Sequence, residues 1–228
     1  MIKTVLLDLD DTILDFKKAE RLALSRTLQQ MGLEPTSDVL QRYSEINQAQ
    51  WRLLEEKKLT RPQVMTRRFA LLFEEKGIKA DVEQAQQLYR EELSKGHYFL
   101  PGAEQLLETL FHQYDLYLVS NGNAMVQDGR IKSAGISRYF REIFISERLG
   151  VDKPAKEFFD LCFEKIGNVN REETVIIGDS LTSDIRGGLN AGIHTIWFNP
   201  KGLPGREDIK PEWQVKSYAE IPDLLEGI

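Results

Sequence analysis

The pattern of apolar and polar positions divides the chain into segments of two kinds. Residues 2–9, IKTVLLDL, are a short apolar run ended by polar residues, which predicts a strand buried on both faces. From residue 16 to about residue 95, apolar positions recur at helical spacing and no convincing strand occurs. This region predicts four helices, over residues 15–32, 37–58, 60–77 and 81–96.

From residue 101 onwards, predicted helices and strands alternate. The strands are YDLYLVSNG (114–122), EIFIS (142–146), TVIIGD (174–179) and HTIWFN (194–199), and a last helix closes the chain. Such alternation is typical of an α/β fold with a mostly parallel, Rossmann-like sheet and helices on both faces. Because the first strand belongs to this sheet, we predict a discontinuous core of residues 1–15 and 96–228, with residues 16–95 inserted as an all-helical cap domain.

Composition and charge argue against several classes of protein. The 228 residues are 41% apolar and carry a net charge of -6, which argues against the basic surface that nucleic acid or an anionic membrane requires. No apolar run reaches the roughly 18 residues that cross a bilayer, and no secretory signal is recognisable. Cys162 is the only cysteine, and the three histidines show no zinc-binding spacing. We expect a cytoplasmic protein without zinc, either monomeric or dimeric.

Polar residues that could take part in catalysis or ligand binding follow the predicted strands. They are Asp8, Asp10, Asp11 and Thr12 after the first strand, Ser120, Asn121 and Gly122 after the second, Lys153 in the loop after the third, and Asp179 and Asp184 after the fourth. Ligands of open parallel sheets bind beyond the carboxyl ends of the strands, where the strand order reverses. The sequence therefore predicts a single site at this edge.

The acidic residues of this edge indicate a metal ion. Clustered carboxylates are costly in a cleft unless a cation shares the site, and no lysine or arginine interrupts DLDDT. Carboxylate oxygens suit Mg²⁺, whose shell a phosphate group would complete. Turn formation or helix capping is an alternative explanation for Asp10 and Asp11. It does not account for Asp179 and Asp184, which recur after another apolar strand.

The order of these motifs resembles a known family. DLDDT, SN, KP and GDSLTSD match the DxDxT, Ser/Thr, Lys and GDxxxxD motifs of the haloacid dehalogenase superfamily of phosphatases, and together they span the chain. The helical insert resembles that family's type-1 cap. INQAQW, ISERLGVDKP, DIRGGLNAG and TIWFN are similar to bacterial pyrimidine 5′-nucleotidases. The resemblance implies a Mg²⁺-dependent phosphatase that acts on a small phosphorylated metabolite, most specifically a nucleoside monophosphate.

The resemblance also assigns roles to residues. It makes Asp8 the nucleophile that forms an aspartyl-phosphate, and Asp10 the group that protonates the leaving oxygen and then deprotonates the attacking water. The expected metal-site residues are Asp8, Asp10 through its backbone carbonyl, Asp179, and Asp184, which holds either a metal-bound water or Lys153. The expected substrate-binding residues of the core are Ser120, Asn121, Gly122 and Lys153, with Ser120 and Lys153 stabilising the phosphoryl oxygens.

Simpler structural roles remain open for several of these residues. Ser120 could cap the following helix, Lys153 could be a solvated surface lysine, and Asp184 could be an acidic residue of a first helical turn. In the insert, Asn47 and Trp51 share a helix face and are candidates to read and stack on a nucleobase. Trp51 could instead pack inside the helical cap.

Rival functions share parts of this pattern. A haloacid dehalogenase would need neither Asp10 nor Mg²⁺, and a phosphonoacetaldehyde hydrolase would need a Schiff-base lysine on the cap. A sugar phosphomutase usually has glycine in place of Asp11. A phospho-accepting receiver domain would be shorter and would lack the insert and the late GDxxxxD motif. A sugar-phosphate or general metabolite phosphatase of the same fold is the principal alternative.

Overall fold

The computed structural model describes residues 1–228. The strands are β1 (Thr4–Leu7), β2 (Asp115–Ser120), β3 (Glu142–Ile145), β4 (Thr174–Gly178), β5 (His194–Phe198) and β6 (Trp213–Val215). The helices are α1 (Phe16–Gln30), α2 (Ser37–Glu55), α3 (Arg61–Lys76), α4 (Val82–Leu93), α5 (Ala103–Phe111), α6 (Ala124–Ala134), α7 (Ser146–Leu149), α8 (Lys156–Ile166), α9 (Arg186–Ala191) and α10 (Glu220–Glu226).

All six strands form one parallel sheet in the order β3-β2-β1-β4-β5-β6, with helices on both sides. The predicted α/β fold class is confirmed. The strand order reverses at β1, which pairs with β2 on one side and with β4 on the other. The loops that follow β1, β2 and β4 therefore meet at the carboxyl edge of the sheet, where parallel sheets bind their ligands.

The chain divides into two compact units. The first contains Met1–Asp15, Phe99–Ala124 and Ala134–Ile228, and thus the whole sheet. The second contains Phe16–Tyr98 and Met125–Ser133, and thus the helical insert together with most of α6. The sequence predicted an inserted domain of residues 16–95, and that assignment of domains stays a prediction. No sequence pattern indicated the assignment of residues 125–133 to the second unit.

The strands of the first unit are apolar on both faces because helices cover both sides of the sheet. In β4 every residue is buried, and in β1 only Thr4 is partly exposed. Phe158, Phe159 and Cys162 of α8 pack against side chains from β1, β2 and β4 in one apolar cluster. Cys162 is thus a buried residue of the core.

The second unit buries the apolar faces of its helices against one another. Tyr43, Phe69 and Tyr89, from α2, α3 and α4, form an aromatic cluster with ring centroids 5.0–5.6 Å apart. The helix ends carry the expected signals. Asp81 accepts two backbone N–H groups at the start of α4, and Gly77 ends α3 in the left-handed conformation, with φ of 64°.

Some elements were not predicted from the sequence. The edge strand β6 has only three residues, too few for a recognisable alternation. Between β4 and β5, where the alternating pattern predicts one helix, the chain forms a π-helical turn, Leu181–Ile185, followed by the short helix α9. Among all ten helices, none is both long enough and apolar enough to span a membrane.

Candidate active site

Three carboxylates converge at the carboxyl edge of the sheet. Asp8 directly follows β1 and its backbone N–H donates to the Ile177 carbonyl of β4, at 3.0 Å. Asp179 directly follows β4, and Asp184 lies in the π-helical turn after it. Asp8, Asp179 and Asp184 each offer one oxygen atom within 4.8 Å of the others. The adjacency of β1 and β4 thus creates the cluster that the sequence predicted for one edge.

Lys153 is the cation within this cluster. Its Nζ donates to Asp8 Oδ1 at 2.8 Å, to Asp184 Oδ1 at 2.6 Å and to the Val119 carbonyl at 2.8 Å. The side chain is completely buried. The alternative of a solvated surface lysine is therefore wrong, because three acceptors enclose the ammonium group. Asp184 also proves to hold Lys153, one of the two roles expected for it.

Asn121 fixes the backbone of Lys153. Its Nδ2 donates to the Lys153 carbonyl at 2.7 Å, and its Oδ1 accepts the Lys153 backbone N–H at 2.8 Å. Nδ2 also lies 3.3 Å from Ser183 Oγ. The carboxamide predicted to bind substrate is thus engaged with the neighbouring loop, and a substrate contact by Asn121 stays a prediction.

Ser120 and Gly122 lie on the β2 side of the cluster. Ser120 is the last residue of β2 and is buried, and Gly122 is buried two residues later. The helix α6 begins at Ala124, whose N–H donates to the Glu147 carboxylate at 2.7 Å. Glu147 also accepts from Asn123 Nδ2 at 2.9 Å. Glu147 therefore holds the loop that follows Ser120, a role that no sequence motif revealed.

A tight turn carries Asp10 past the end of β1. The backbone N–H groups of Ile13 and Leu14 both donate to the Leu9 carbonyl, at 2.9 Å each. Asp11 has a positive φ of 57°, a conformation that aspartate tolerates better than most residues. Asp10 itself is half-buried, and its carboxylate is not one of the three clustered groups. This placement is compatible with the expected metal contact through its backbone carbonyl.

Gly178, at the end of β4, makes room for Asp184. A Cβ atom added at residue 178 would lie 2.3 Å from Asp184 Cγ, far closer than real Cβ contacts. The second oxygen of Asp184 accepts the Ser180 backbone N–H at 3.1 Å. The glycine of the GDxxxxD motif is therefore required for the carboxylate that holds Lys153.

The pKa values reflect an excess of negative charge. Burial raises the pKa of Asp8 to about 7, aided by the charges of Asp184 and Asp10 and opposed by Lys153. Burial, together with the neighbouring acids, raises the pKa of Asp179 well above its usual range. Burial alone would lower the pKa of Lys153, but the Asp184 and Asp8 carboxylates raise it. One ammonium group therefore does not compensate three carboxylates.

This donor set fits a hard divalent cation. It consists of carboxylate oxygens alone, with no histidine or cysteine among them, which is the chemistry that Mg²⁺ prefers. The negative charge of Asp8 is one of the causes that raise the pKa of Asp179. A cation between them would relieve that repulsion.

The two candidates in the insert lie in the second unit. Asn47 is buried, donates from Nδ2 to Glu20 Oε1 at 2.6 Å, and accepts from Arg68 Nη1 at 3.0 Å. Trp51 is half-buried, and the Arg61 guanidinium lies 5.4 Å from the centroid of its ring. Nucleobase contacts by Asn47 and Trp51 stay predictions, and the Asn47 carboxamide already has two partners inside the insert.

Comparison with known proteins identifies the family. Residues 5–198 match the family model described as haloacid dehalogenase-like hydrolase. HAD-hydrolase YfnB of Bacillus subtilis is 42% identical over 98% of this chain and 95% of its own, and pyrimidine 5′-nucleotidase PynA of Streptococcus pneumoniae is 39% identical over the same shares. Pyrimidine 5′-nucleotidase YjjG of Escherichia coli is 29% identical over 97% of this chain and 96% of its own.

A solved structure agrees with these relatives. The crystal structure of YfnB, determined with bound magnesium, matches this chain with a TM-score of 0.94 over 98% of both chains. The resemblance found in the four motifs and in the nucleotidase-like segments is confirmed. The chain belongs to the haloacid dehalogenase-like hydrolases.

Proposed function

We propose that this hydrolase is a Mg²⁺-dependent phosphomonoesterase that works through an aspartyl-phosphate, with a nucleoside 5′-monophosphate as its substrate. The observation that carries the proposal is the convergence of Asp8, Asp179 and Asp184 around a single buried lysine. Mg²⁺ would be held by Asp8, Asp179 and the backbone carbonyl of Asp10. When bound, it supplies positive charge that offsets repulsion between the carboxylates and the phosphate.

In the first step, a carboxylate oxygen of Asp8 attacks phosphorus and the bond to the ester oxygen breaks. Asp10 gives its proton to that oxygen, which leaves as an alcohol. In the second step, Asp10 takes a proton from water, whose oxygen attacks the aspartyl-phosphate and releases inorganic phosphate from Asp8. Asp10 is two residues beyond Asp8, and the turn that follows β1 holds both acids at the same edge.

In this proposal, Lys153 and Ser120 bind the phosphoryl oxygens during both steps. Lys153 is held by Asp8, Asp184 and the Val119 carbonyl, so its position is set before substrate arrives. Such preorganised donors stabilise charge that develops in the transition state. Asp184 acts by holding Lys153, and Asn121 acts by holding its backbone.

The relatives support the choice of substrate class. PynA and YjjG are both pyrimidine 5′-nucleotidases, and each aligns over nearly the whole chain, including the insert. We therefore place a pyrimidine nucleotide first among candidate substrates. Action in the cytoplasm remains a prediction from the sequence.

The test is release of inorganic phosphate from a substrate panel with Mg²⁺. UMP, dUMP and dTMP should react faster than AMP and faster than glucose 6-phosphate, and a chelator should stop all turnover. Asp8→Asn is the control for contaminating phosphatases, because it removes the nucleophile and keeps the side-chain shape. Equal or higher rates on sugar phosphates would reject the nucleotide assignment, and absence of turnover on every ester would reject the phosphatase.

A further inference from the structure

The backbone of Asp179 is fixed on both sides by side chains from other elements. Its N–H donates to Thr12 Oγ1 at 3.0 Å, and its carbonyl accepts the indole N–H of Trp197 at 2.8 Å. With both flanking peptide groups held, the direction of the bond from Cα to Cβ is fixed. Thr12 and Trp197 thereby set the backbone position from which the Asp179 carboxylate extends.

A second tether holds the partner loop. The hydroxyl of Tyr218 donates to the Thr12 carbonyl at 2.8 Å, and the Tyr218 ring stacks on Phe198 with centroids 4.4 Å apart. Tyr218, Thr12, Asp179 and Trp197 thus form one continuous chain of hydrogen bonds. This chain joins the loop after β1 to the loop after β4.

We propose that Trp197 and Tyr218 are positioning residues, which hold the loop after β4 and the loop after β1 respectively and so preform the cation site. The inference rests on the proposed function, since it concerns the Mg²⁺ that Asp8 and Asp179 would hold. Without the cation, the carboxylates of Asp8 and Asp179, whose oxygens lie within 4.8 Å of each other, repel each other. Hydrogen bonds from neutral side chains oppose this repulsion without adding charge.

The surroundings of Trp197 suit this role. The indole is 3% exposed and packs with Ile185 and Ile209, so it cannot turn away from the Asp179 carbonyl. A buried indole N–H needs an acceptor. That acceptor belongs to a proposed metal-site residue, and not to one of the many sheet carbonyls.

The test is Mn²⁺ binding to the resting enzyme, followed by the electron paramagnetic resonance signal of free Mn²⁺. Trp197→Phe removes the N–H and should weaken Mn²⁺ binding by about tenfold, as loss of outer-shell partners does at other metal sites. Tyr218→Phe keeps the ring stack, loses only the hydroxyl and should weaken binding in the same direction by less. In both variants, kcat at saturating Mg²⁺ should stay close to that of the unaltered enzyme, while the Mg²⁺ concentration for half-maximal rate rises.

Ile209→Val is the matched control, because it removes one methylene from the same cluster and no hydrogen bond. It should bind Mn²⁺ as the unaltered enzyme does. Unchanged affinity in Trp197→Phe and Tyr218→Phe would overturn the inference, as would an equal loss in Ile209→Val. If Trp197→Phe fails to fold, Tyr218→Phe decides the question. Absence of Mn²⁺ binding to the unaltered enzyme would instead reject the metal site of the proposed function, and this inference with it.

Discussion

The two units of the molecule both bury charged side chains, but they balance the charge differently. In the sheet unit, Lys153 is in contact with Asp8 and Asp184, and Asp179 is a third acid of the same cluster. One positive group therefore faces three carboxylates. The raised pKa of Asp8, caused by burial and by like charges, is the physical sign of that excess.

In the helical unit, a buried arginine lies in a network of amides. Arg68 donates to Asn47 Oδ1 at 3.0 Å and to Gln86 Oε1 at 2.9 Å, and Asn47 donates in turn to Glu20 at 2.6 Å. The four side chains come from α3, α2, α4 and α1, so the network joins all four helices of the insert. Among these four side chains, Arg68 is the positive group and Glu20 the negative one, so their charges balance.

This difference separates a site from a structural network. The balanced set in the insert needs no further ion, and its amides span the distance between the opposite charges. The clustered carboxylates at the sheet edge destabilise the folded protein, and a bound cation would reduce that free-energy cost. An excess of one charge among buried groups is thus the more informative signal of function.

The largest expected effect is on turnover in Asp8→Asn. Because the amide cannot attack phosphorus, phosphate release should fall by more than about 10⁴-fold, the scale seen when other enzymes lose a nucleophile. The fold should persist, since an amide oxygen can still accept from Lys153. Thermal unfolding should show a folded protein, and near-normal turnover would remove Asp8 from the nucleophilic role.

The comparison is tested directly by removing the cation from each unit. Lys153→Met leaves the buried Asp8 and Asp184 without their cation and should lower the free energy of unfolding by about 3–5 kcal/mol, as breaking buried ion pairs does. Mg²⁺ should restore part of that loss, because it replaces the missing positive charge at the same carboxylates. Denaturant unfolding with and without Mg²⁺ measures both quantities.

Arg68→Met is the matched variant in the insert. It leaves the carbonyl oxygens of Asn47 and Gln86 without their charged donor and should also destabilise the protein, by about 1–3 kcal/mol. Here Mg²⁺ should restore nothing beyond its effect on the unaltered protein. Equal rescue of Lys153→Met and Arg68→Met by Mg²⁺ would contradict the distinction between the two networks.

The sequence predicted the acidic residues of the candidate site better than the residues that hold the surrounding loops in place. Asp8 and Asp179 were found because each directly follows an apolar strand, and strand ends share one edge of a parallel sheet. The contacts of Asn121, Trp197 and Glu147 were not found, because each binds backbone groups or caps a loop. Backbone acceptors exist at every residue and leave no pattern of residue types to read.

The elements of the fold also differed in how well the sequence predicted them. Long periodic segments such as α1–α4 and the fully apolar strand β4 were predicted closely, since the burial of many residues decides each of them. The short strand β6 and the π-helical turn at Leu181–Ile185 were missed, because tertiary contacts decide their conformation. Asn47 shows what such a pattern leaves open. Asn47 and Trp51 lie on one helix, as predicted, but the buried carboxamide of Asn47 has two partners within the insert.

A smaller effect is expected from Gly178→Ala in the sheet unit. The new methyl group would meet Asp184 Cγ and push the carboxylate away from Lys153. Overpacking of this kind costs about 1–3 kcal/mol, and turnover should fall with it. Gly205→Ala is the matched control, since a Cβ there meets nothing within 4 Å. Equal stability and activity in the two variants would show that Asp184 does not depend on close approach to β4.

The smallest effect is the pH dependence of cation binding. The pKa of Asp8 is raised from its ordinary 3.8 to about 7 by burial and by the neighbouring acids. Because the folded pKa lies above the unfolded value, the folded protein holds the extra proton between about pH 4 and pH 7. In the absence of metal, the free energy of unfolding should therefore fall as the pH rises through that range.

A cation must displace that proton, so Mg²⁺ affinity should rise with pH up to about 7 and then level off. Displacement of one proton changes the affinity by at most about tenfold per pH unit, and partial protonation makes the change smaller. Calorimetric titration with Mg²⁺ in two buffers of different ionisation enthalpy measures the protons released at pH 6 and at pH 8. Release should be greater at pH 6, and Asp8→Asn, which lacks the titrating group, should reduce the difference. If release is equal at both pH values, the carboxylates are already ionised at pH 6 without metal. Protonation of Asp8 then does not reduce the excess of negative charge at the sheet edge.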